Sequence, residues 1–213
     1  MIRDDFMNRY IFAFLFLFSL VSNANQTAVT DTGDIVILKS NGTWSFQTSI
    51  SIKASEIPLS NKKYNKGINA SFNLKSKVNN SQFSIDPKLW SFKKENDGQR
   101  EYFFALRGKE LWGMAITETT VFPVETLGEI ALENARNYAP DAEIIFQEYR
   151  IVNGVKVLYQ EFSATAKGIE FIYRGYYFSN KTGSTQYVAY TTAKRLSDYI
   201  NEVDEYLNGF SIQ

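Results

Sequence analysis

The chain contains neither cysteine nor histidine among its 213 residues. Without these residue types there can be no Ser-His-Asp or Cys-His nucleophilic site, no HExxH zinc site, no thiol redox chemistry and no haem held by histidine. A lipid anchor attached to a cysteine is excluded as well, and the core must form without disulfides. Carboxylates, lysine, tyrosine and oxygen ligands for a hard metal ion are what remain for chemistry.

The sequence also lacks an excess of charge of either sign, because 23 lysine and arginine residues balance 23 aspartate and glutamate residues. Nucleic-acid binding requires a basic excess that neutralises phosphates, and none exists in this composition. Acidic membrane surfaces are disfavoured as partners for the same reason. The composition therefore predicts a protein that does not bind nucleic acid.

A single long apolar run is present, close to the amino terminus. Residues 10–21 read YIFAFLFLFSLV, and small residues follow at positions 22 and 24, where a signal peptidase requires them. A dozen residues span roughly 18 Å as a helix, against roughly 30 Å for the core of a bilayer. We therefore predict a signal peptide over residues 1–24, cleaved near Ala24, and a periplasmic or secreted product without a stable membrane anchor. A retained signal anchor is the alternative.

A β-hairpin extension is predicted over residues 25–50. Two β-rich runs, residues 34–39 and 43–48, flank Asn41-Gly42, a dipeptide typical of tight hairpin turns because both residues tolerate positive φ. A lone hairpin is marginal in water, so Trp44 and Phe46 are expected to dock on another element. Trp44 could instead line a ligand groove.

Residues 51–69 show no regular pattern, and their Pro, Gly, Lys and Asn content predicts a linker or long loop. An α+β domain is predicted over residues 70–213. Its first half holds an edge strand at 70–77, a short apolar run at 83–85 followed by the Asp86-Pro87 turn, and strands at 101–107 and 111–122.

Two helices are predicted in this domain. The first begins with a capping box made by Thr126 and Glu129 and ends at Ala139-Pro140. The second covers about residues 195–207, with Gly209 at the left-handed position that follows a last turn. Its apolar stripe consists of Leu196, Tyr199, Ile200, Val203 and Leu207.

The most regular part of the chain is a predicted four-stranded antiparallel meander. Its strands are residues 143–152, 155–166, 169–180 and 184–192, joined by turns of two or three residues. Apolar side chains on both faces of these strands indicate that both faces are covered. The pattern predicts an antiparallel sheet of six or seven strands with two main helices, arranged as an α+β sandwich.

From Phe83 onward, the order of elements resembles the PsbP-like fold, which also occurs in Mog-type Ran-binding proteins and in uncharacterised exported bacterial proteins with an N-terminal hairpin. The resemblance rests on FSIDPKLW at 83–90, VNG at 152–154, GIEFIYRGYYF at 168–178, the turn at 183–186 and LNGF at 207–210. It implies a fold and a role in assembly or partner binding, with no catalytic residues to carry over. A histidine-based metal site, as in photosynthetic relatives, is not available to this chain.

Aromatic residues crowd the strand at 169–180, with Arg174 among them. Tyr and Arg are typical anchors of recognition surfaces. Strand alternation places Arg174 and Tyr176 on one face, so these two residues are predicted to bind a partner. Trp44 of the N-terminal hairpin is the third predicted partner-binding residue. The alternative is that the aromatic side chains only form the core of a sheet. No cofactor or metal site is predicted, since the acidic residues at 198, 202 and 205 are typical of the solvated face of a helix.

The sequence thus predicts an exported, non-catalytic binding or assembly-accessory protein of the cell envelope, whose partner is a protein or a small ligand. A carboxylate-dependent hydrolase or lyase and a secreted effector are the alternatives. An enzyme should bring two carboxylates together in one concave pocket, whereas a binding module should expose a broad aromatic patch.

Overall fold

The structure is a computed structural model that describes residues 26–30, 35–39, 41–46, 57–95 and 100–213. The predicted signal peptide and its cleavage point at Ala24 lie outside these residues. Within the described ranges, no helix is long and apolar enough to span a membrane.

The N-terminal segment forms a small antiparallel sheet of three strands, β1 (Gln26–Val29), β2 (Ile35–Leu38) and β3 (Trp44–Phe46). The β2–β3 hairpin is the predicted one, and β1 adds a third strand. Gly42 takes a φ of 80° in the turn, and the side-chain oxygen of Asn41 accepts the N–H of Thr43 at 3.0 Å. The Asn-Gly signal therefore located the turn correctly.

Eleven further strands follow. They are β4 (Leu59–Tyr64), β5 (Phe72–Lys75), β6 (Ser81–Ile85), β7 (Trp90–Lys94), β8 (Tyr102–Leu106), β9 (Trp112–Glu118), β10 (Glu143–Val152), β11 (Val155–Ala166), β12 (Ile169–Asn180), β13 (Gly183–Thr192) and β14 (Phe210–Ile212).

Eight of these strands form the main sheet, in the order β4-β10-β11-β12-β13-β9-β8-β7, and three form a smaller sheet in the order β14-β6-β5. The predicted meander, β10 to β13, is confirmed. The predicted antiparallel sheet of six or seven strands is wrong in two respects. The main sheet has eight strands, and it is mixed, because β4 lies parallel to β10. This strand falls within the predicted linker at 51–69, where the letters LSNKKY carry no strand alternation.

Both predicted helices exist, with different ends. The helix α1 covers Val124–Arg136, and its N-cap is Pro123, so the predicted capping box does not begin the helix. The second helix is divided into a 3₁₀ segment at Ala193–Tyr199 and an α-helix, α2, at Ile200–Leu207. Pro123 fixes the φ angle that leads into α1, but it has no side-chain acceptor, so α1 begins without a side-chain cap.

Both faces of the main sheet are covered, as predicted. α1 packs through Leu127 and Ala131 against one face. On the other face, α2 and the small sheet enclose a largely aromatic core, in which the ring of Tyr187 lies 4.3 Å from that of Tyr206 and 4.8 Å from that of Phe83. Such ring pairs contribute about 0.5–1.5 kcal/mol each beyond the area they bury.

Gly209 follows α2, but its φ is not positive, so the predicted left-handed cap is wrong. The helix instead ends at Asn208 in right-handed helical geometry. Glycine is required for a different reason. A Cβ at position 209 would overlap the carbonyl oxygen of Ser84 and would lie 3.0 Å from that of Tyr206. The close approach lets the 209 carbonyl accept the N–H of Ser84 at 2.9 Å and fixes α2 on the small sheet.

Replacing Gly209→Ala should therefore lower the free energy of unfolding by roughly 2–4 kcal/mol, because a backbone carbonyl cannot move aside cheaply. The matched control is Gly67→Ala, where a Cβ would meet nothing within 4 Å and φ is ordinary. Urea denaturation followed by circular dichroism measures both variants. Equal stability of the two would contradict the proposed close approach.

The buried tyrosines predict a cooperative unfolding at high pH. Burial raises the pKa of Tyr173 and of Tyr176 to about 12, and that of Tyr177 further still. In the unfolded chain the same hydroxyls ionise at a pKa of about 10. Stability is thus fully present below pH of about 10 and is lost as the pH rises through about 12. Tyrosinate absorbance and circular dichroism should change together; gradual ionisation of a chain that stays folded would contradict the burial.

Candidate functional site

The candidate site lies on the face of the main sheet that α2 covers, at the end where β4 and β10 form the edge. It is a groove of ≈490 Å³, which we call the charged groove. Its lining consists of Leu59, Ser60, Asn61, Lys62, Tyr64, Phe146, Glu148 and Arg150.

Strand register brings the polar side chains of this region together. Glu148 on β10, Tyr159 on β11 and Tyr176 on β12 lie directly opposite one another across three strands. In the neighbouring row, Glu161 on β11 lies opposite Arg174 on β12. Directly opposed residues share a face, so two carboxylates and two arginines meet on one side of the sheet.

Arg150 is held between two tyrosine rings at the floor of the groove. Its guanidinium carbon lies 3.3 Å from the ring centroid of Tyr159 and 4.5 Å from that of Tyr64. Its Nε donates to the carboxylate of Glu148 at 2.7 Å, and these two side chains are only 12% and 15% exposed. A planar guanidinium suits this position because it can stack on aromatic faces while it bonds a carboxylate.

A second ion pair lies in the neighbouring row on the same face. Arg174 contacts Glu161 at 3.1 Å between Nη2 and Oε1, and the hydroxyl of Tyr159 donates to the same carboxylate. Across the groove, Asp204 of α2 lies within electrostatic range of both arginines. Desolvation raises the pKa of the Asp204 carboxyl, and the positive charges of Arg174 and Arg150 oppose that rise.

The predicted partner-binding residues have different places in the structure. Tyr176 is 1% exposed, and its hydroxyl donates to the side-chain oxygen of Asn208 at 2.9 Å. It is a core residue, so it offers no aromatic surface to a partner. Arg174 shares the face of Tyr176, as alternation predicts, but is paired with Glu161 rather than exposed. Trp44 is 58% exposed on β3 of the small N-terminal sheet.

Tyr64, Glu148 and Arg150 were missed by the sequence analysis. A signal does exist: Glu148 and Arg150 are charged residues two apart within the apolar strand EIIFQEYRIV, and therefore share a face. Their partner Tyr64 could not be found in the same way, because it lies on β4, in a segment without strand alternation. Its hydroxyl donates to Glu148 at 3.3 Å.

The arrangement provides paired charged groups that are suited to binding. Each of the two carboxylates, Glu148 and Glu161, is held by an arginine and accepts a hydrogen bond from a tyrosine hydroxyl. Among the residues that the structure describes, no group of three or more acidic side chains could hold a metal ion. The groove therefore presents fixed hydrogen-bonding groups and aromatic surface.

Comparison with known proteins supports the fold. No protein-family model matches the chain. The curated proteins give no significant match. Among solved structures, cyanobacterial PsbP (CyanoP) from Synechocystis sp. PCC 6803 matches 69% of this chain and 95% of its own length, with a TM-score of 0.52 and 13% identity. LpqN, involved in cell envelope biogenesis of Mycobacterium tuberculosis, matches 67% of this chain and 90% of its own, at 10% identity; its TM-score of 0.48 is too low to carry an argument.

The fold is thus PsbP-like, as the sequence resemblance predicts. At 13% identity the likeness concerns the fold alone.

Removal of the Arg150 side chain should destabilise the fold. The Arg150→Ala variant leaves Glu148 largely buried without its cation and empties the space between two tyrosine rings, which should lower the free energy of unfolding by roughly 2–4 kcal/mol. The matched control is Arg195→Ala, because Arg195 pairs with Asp198 and Glu110 while 53% exposed, so that its removal should lower the free energy of unfolding far less. Denaturant titration of both variants measures the difference. Similar losses would mean that the Arg150 pair is worth no more than a surface pair.

Proposed function

We propose that this protein is an exported, non-catalytic accessory protein of the cell envelope that binds its ligand in the charged groove. The apolar run at residues 10–21 supports export. The PsbP-like fold is compatible with an accessory role. The observation that carries the proposal is a groove of ≈490 Å³ whose polar groups are fixed in advance by ion pairs and ring contacts.

The size and lining of the groove favour a small amphipathic ligand. Its volume lies within the roughly 300–1,000 Å³ usual for small-molecule sites. Leu59 and Phe146, which are 58% and 43% exposed, provide apolar surface at the rim. Lys62 provides a positive charge on the same edge. A ligand that combines an apolar part with a carboxylate or phosphate would match both features.

Fixed polar groups would bind such a ligand with little loss of side-chain entropy. Arg150 cannot turn away from the groove floor without leaving Glu148 unpaired and separating from two rings. Preorganised sites avoid the cost of ordering side chains on binding, which is about 0.5–1.5 kcal/mol for each long side chain. In this proposal Arg174 does not contact the ligand. It pairs with Glu161, which accepts a hydrogen bond from Tyr159, and so it helps to fix the ring on which Arg150 packs. Trp44 stays a predicted partner-binding residue on the N-terminal sheet.

The alternative of a carboxylate-dependent hydrolase or lyase has less support. A general acid or base must be free to exchange a proton with the substrate. Glu148 and Glu161 instead each share their oxygens with an arginine and a tyrosine. These contacts favour a structural and binding role for both carboxylates.

The test is recovery of bound molecules. The full chain, with its own leader and a C-terminal tag, is expressed in the native host and purified gently. Bound small molecules and proteins are then identified by mass spectrometry. The double variant Lys62→Glu/Phe146→Ser changes only rim residues of the groove. We expect it to recover the bound species at least about tenfold less well than the unmodified protein.

A matched double variant, Lys109→Glu/Ile169→Ser, makes the same charge reversal and a comparable apolar-to-polar change at exposed positions away from the groove and should recover as much as the unmodified protein. Equal recovery with all three proteins would contradict the groove as the binding site. Consumption of a recovered molecule that stops in both Glu148→Gln and Glu161→Gln would support the hydrolase or lyase instead.

A further inference from the structure

A second recess lies where the edge of the main sheet meets the edge of the β14-β6-β5 sheet. β7 is the last strand of the main sheet and β5 is the last strand of the small sheet. Between them is a cleft of ≈180 Å³, which we call the edge cleft. It is lined chiefly by Phe72, Ile85, Pro87, Trp90, Phe92 and Arg107.

Two exposed aromatic rings in contact with each other form one wall of the edge cleft. Phe72 on β5 and Phe92 on β7 lie 5.3 Å apart between ring centroids, and each is 42% exposed. The floor is apolar and buried, since Ile85 and Trp90 are 1% and 3% exposed. The volume is below that of usual small-molecule sites but suits one apolar side chain. Sheet edges are normally protected by charge, so a pair of exposed aromatic rings at this edge is unusual.

The backbone of β7 is oriented to accept another strand. The N–H of Arg107 donates to the carbonyl of Leu89 at 2.9 Å, and the N–H of Glu95 donates to the carbonyl of Glu101 at 3.0 Å. In an antiparallel pair, alternate residues bond to the partner strand, so odd-numbered residues of β7 bond to β8. The N–H and C=O groups of Phe92 and Lys94 therefore point away from β8, towards an edge at which no strand of the described residues pairs with β7.

Positively charged side chains lie in and near the edge cleft. Arg107 lies among the lining residues, and Lys94 follows Phe92 on the strand. Desolvation lowers the pKa of Lys94, and so does the ammonium group of Lys77, which lies beside it; the carboxylate of Glu101 opposes this with a smaller effect. Glu101 is buried and already accepts hydrogen bonds from Ser76, Lys77 and Thr117. Two adjacent ammonium groups favour an anionic group between them.

We propose that the edge cleft binds an extended acidic peptide segment of a partner protein. The segment adds as a strand to the edge of β7 and packs one apolar side chain against the Phe72–Phe92 ring pair, over Ile85 and Trp90. Its carboxylates lie against Lys77, Lys94 and Arg107. Backbone bonds and a side-chain pocket are the two elements of recognition by strand addition.

The other occupants of such an edge fit less well. A second copy of this chain would bring two more lysines, Lys93 and Lys94, to the same edge. It would therefore not supply the negative charge that complements Lys77, Lys94 and Arg107. An anionic membrane would suit lysines and phenylalanines that project outwards. Here the two rings pack against each other and form one wall of a recess, which fits an apolar side chain laid against them.

The test uses residues 25–213 and a short fluorescent peptide that alternates glutamate with valine around a central phenylalanine. A twin peptide carries lysine in place of each glutamate. Fluorescence anisotropy should show binding of the acidic peptide, weakened by salt, and at least about tenfold weaker binding of the lysine twin. The variant Phe72→Ser/Phe92→Ser should lose the binding by a similar factor.

The backbone contact is tested by two substitutions at one position. Lys94→Ala and Lys94→Pro both remove the ammonium group, but only proline removes the outward N–H, and proline is tolerated at sheet edges. We expect Lys94→Pro to bind the acidic peptide several-fold more weakly than Lys94→Ala. Urea denaturation should show similar stability for the two variants, and the groove variant Lys62→Glu/Phe146→Ser should bind the peptide normally.

Three results would overturn the proposal. The first is equal binding of the acidic and basic peptides, or none of either. The second is equal binding by Lys94→Ala and Lys94→Pro. The third is binding to vesicles that contain anionic phospholipid, abolished in Phe72→Ser/Phe92→Ser, without peptide binding; this would assign the surface to a membrane. Because the groove variant is measured in parallel, failure here leaves the charged groove unaffected.

Discussion

The packing of Tyr206 onto the main sheet is the contact on which the arrangement of the layers depends. No disulfide can join α2 to the sheet, because the chain has no cysteine. The Tyr206 ring instead contacts Tyr187 of β13 and Trp90 of β7, with centroids 4.3 and 4.6 Å apart. Gly113 in β9 makes this possible, since a Cβ there would overlap the phenol. α2 in turn positions β14 on the small sheet, so one aromatic core joins the helix and both sheets.

The charged groove exists because α2 covers only part of one face of the main sheet. α2 has only eight residues, whereas β11 and β12 have twelve each, so the helix cannot cover the whole face of the sheet. Beyond its end the rings of Tyr159 and Tyr64 would face water. The guanidinium of Arg150 lies between these two rings and bonds to Glu148. Its flat faces cover the rings, while its polar edge donates hydrogen bonds.

The distribution of charge matters more than its total. A net charge of zero correctly describes the whole chain, but it averages over regions with different local charge. Around the charged groove, arginines and glutamates are paired. At the edge cleft, Lys77 and Lys94 lie side by side and Arg107 is near, while Glu101 is occupied by three hydrogen bonds. The balanced composition excludes a surface that is basic overall. It gives no information about a local cluster of positive charge.

Local signals in the sequence determined the meander, its turns and the positions of both helices, because alternation, Asn-Gly turns and helical spacing act over a few residues. The PsbP-like fold followed from their order. Only the tertiary structure decided the rest. β4 has almost no pattern and exists because β10 offers it a parallel partner. Tyr176 is a core residue because α2 ends over it, although its strand alone is equally consistent with an exposed patch. Likewise Arg150 and Tyr64 meet only through pairing across 86 positions of sequence, a distance over which no local pattern carries information.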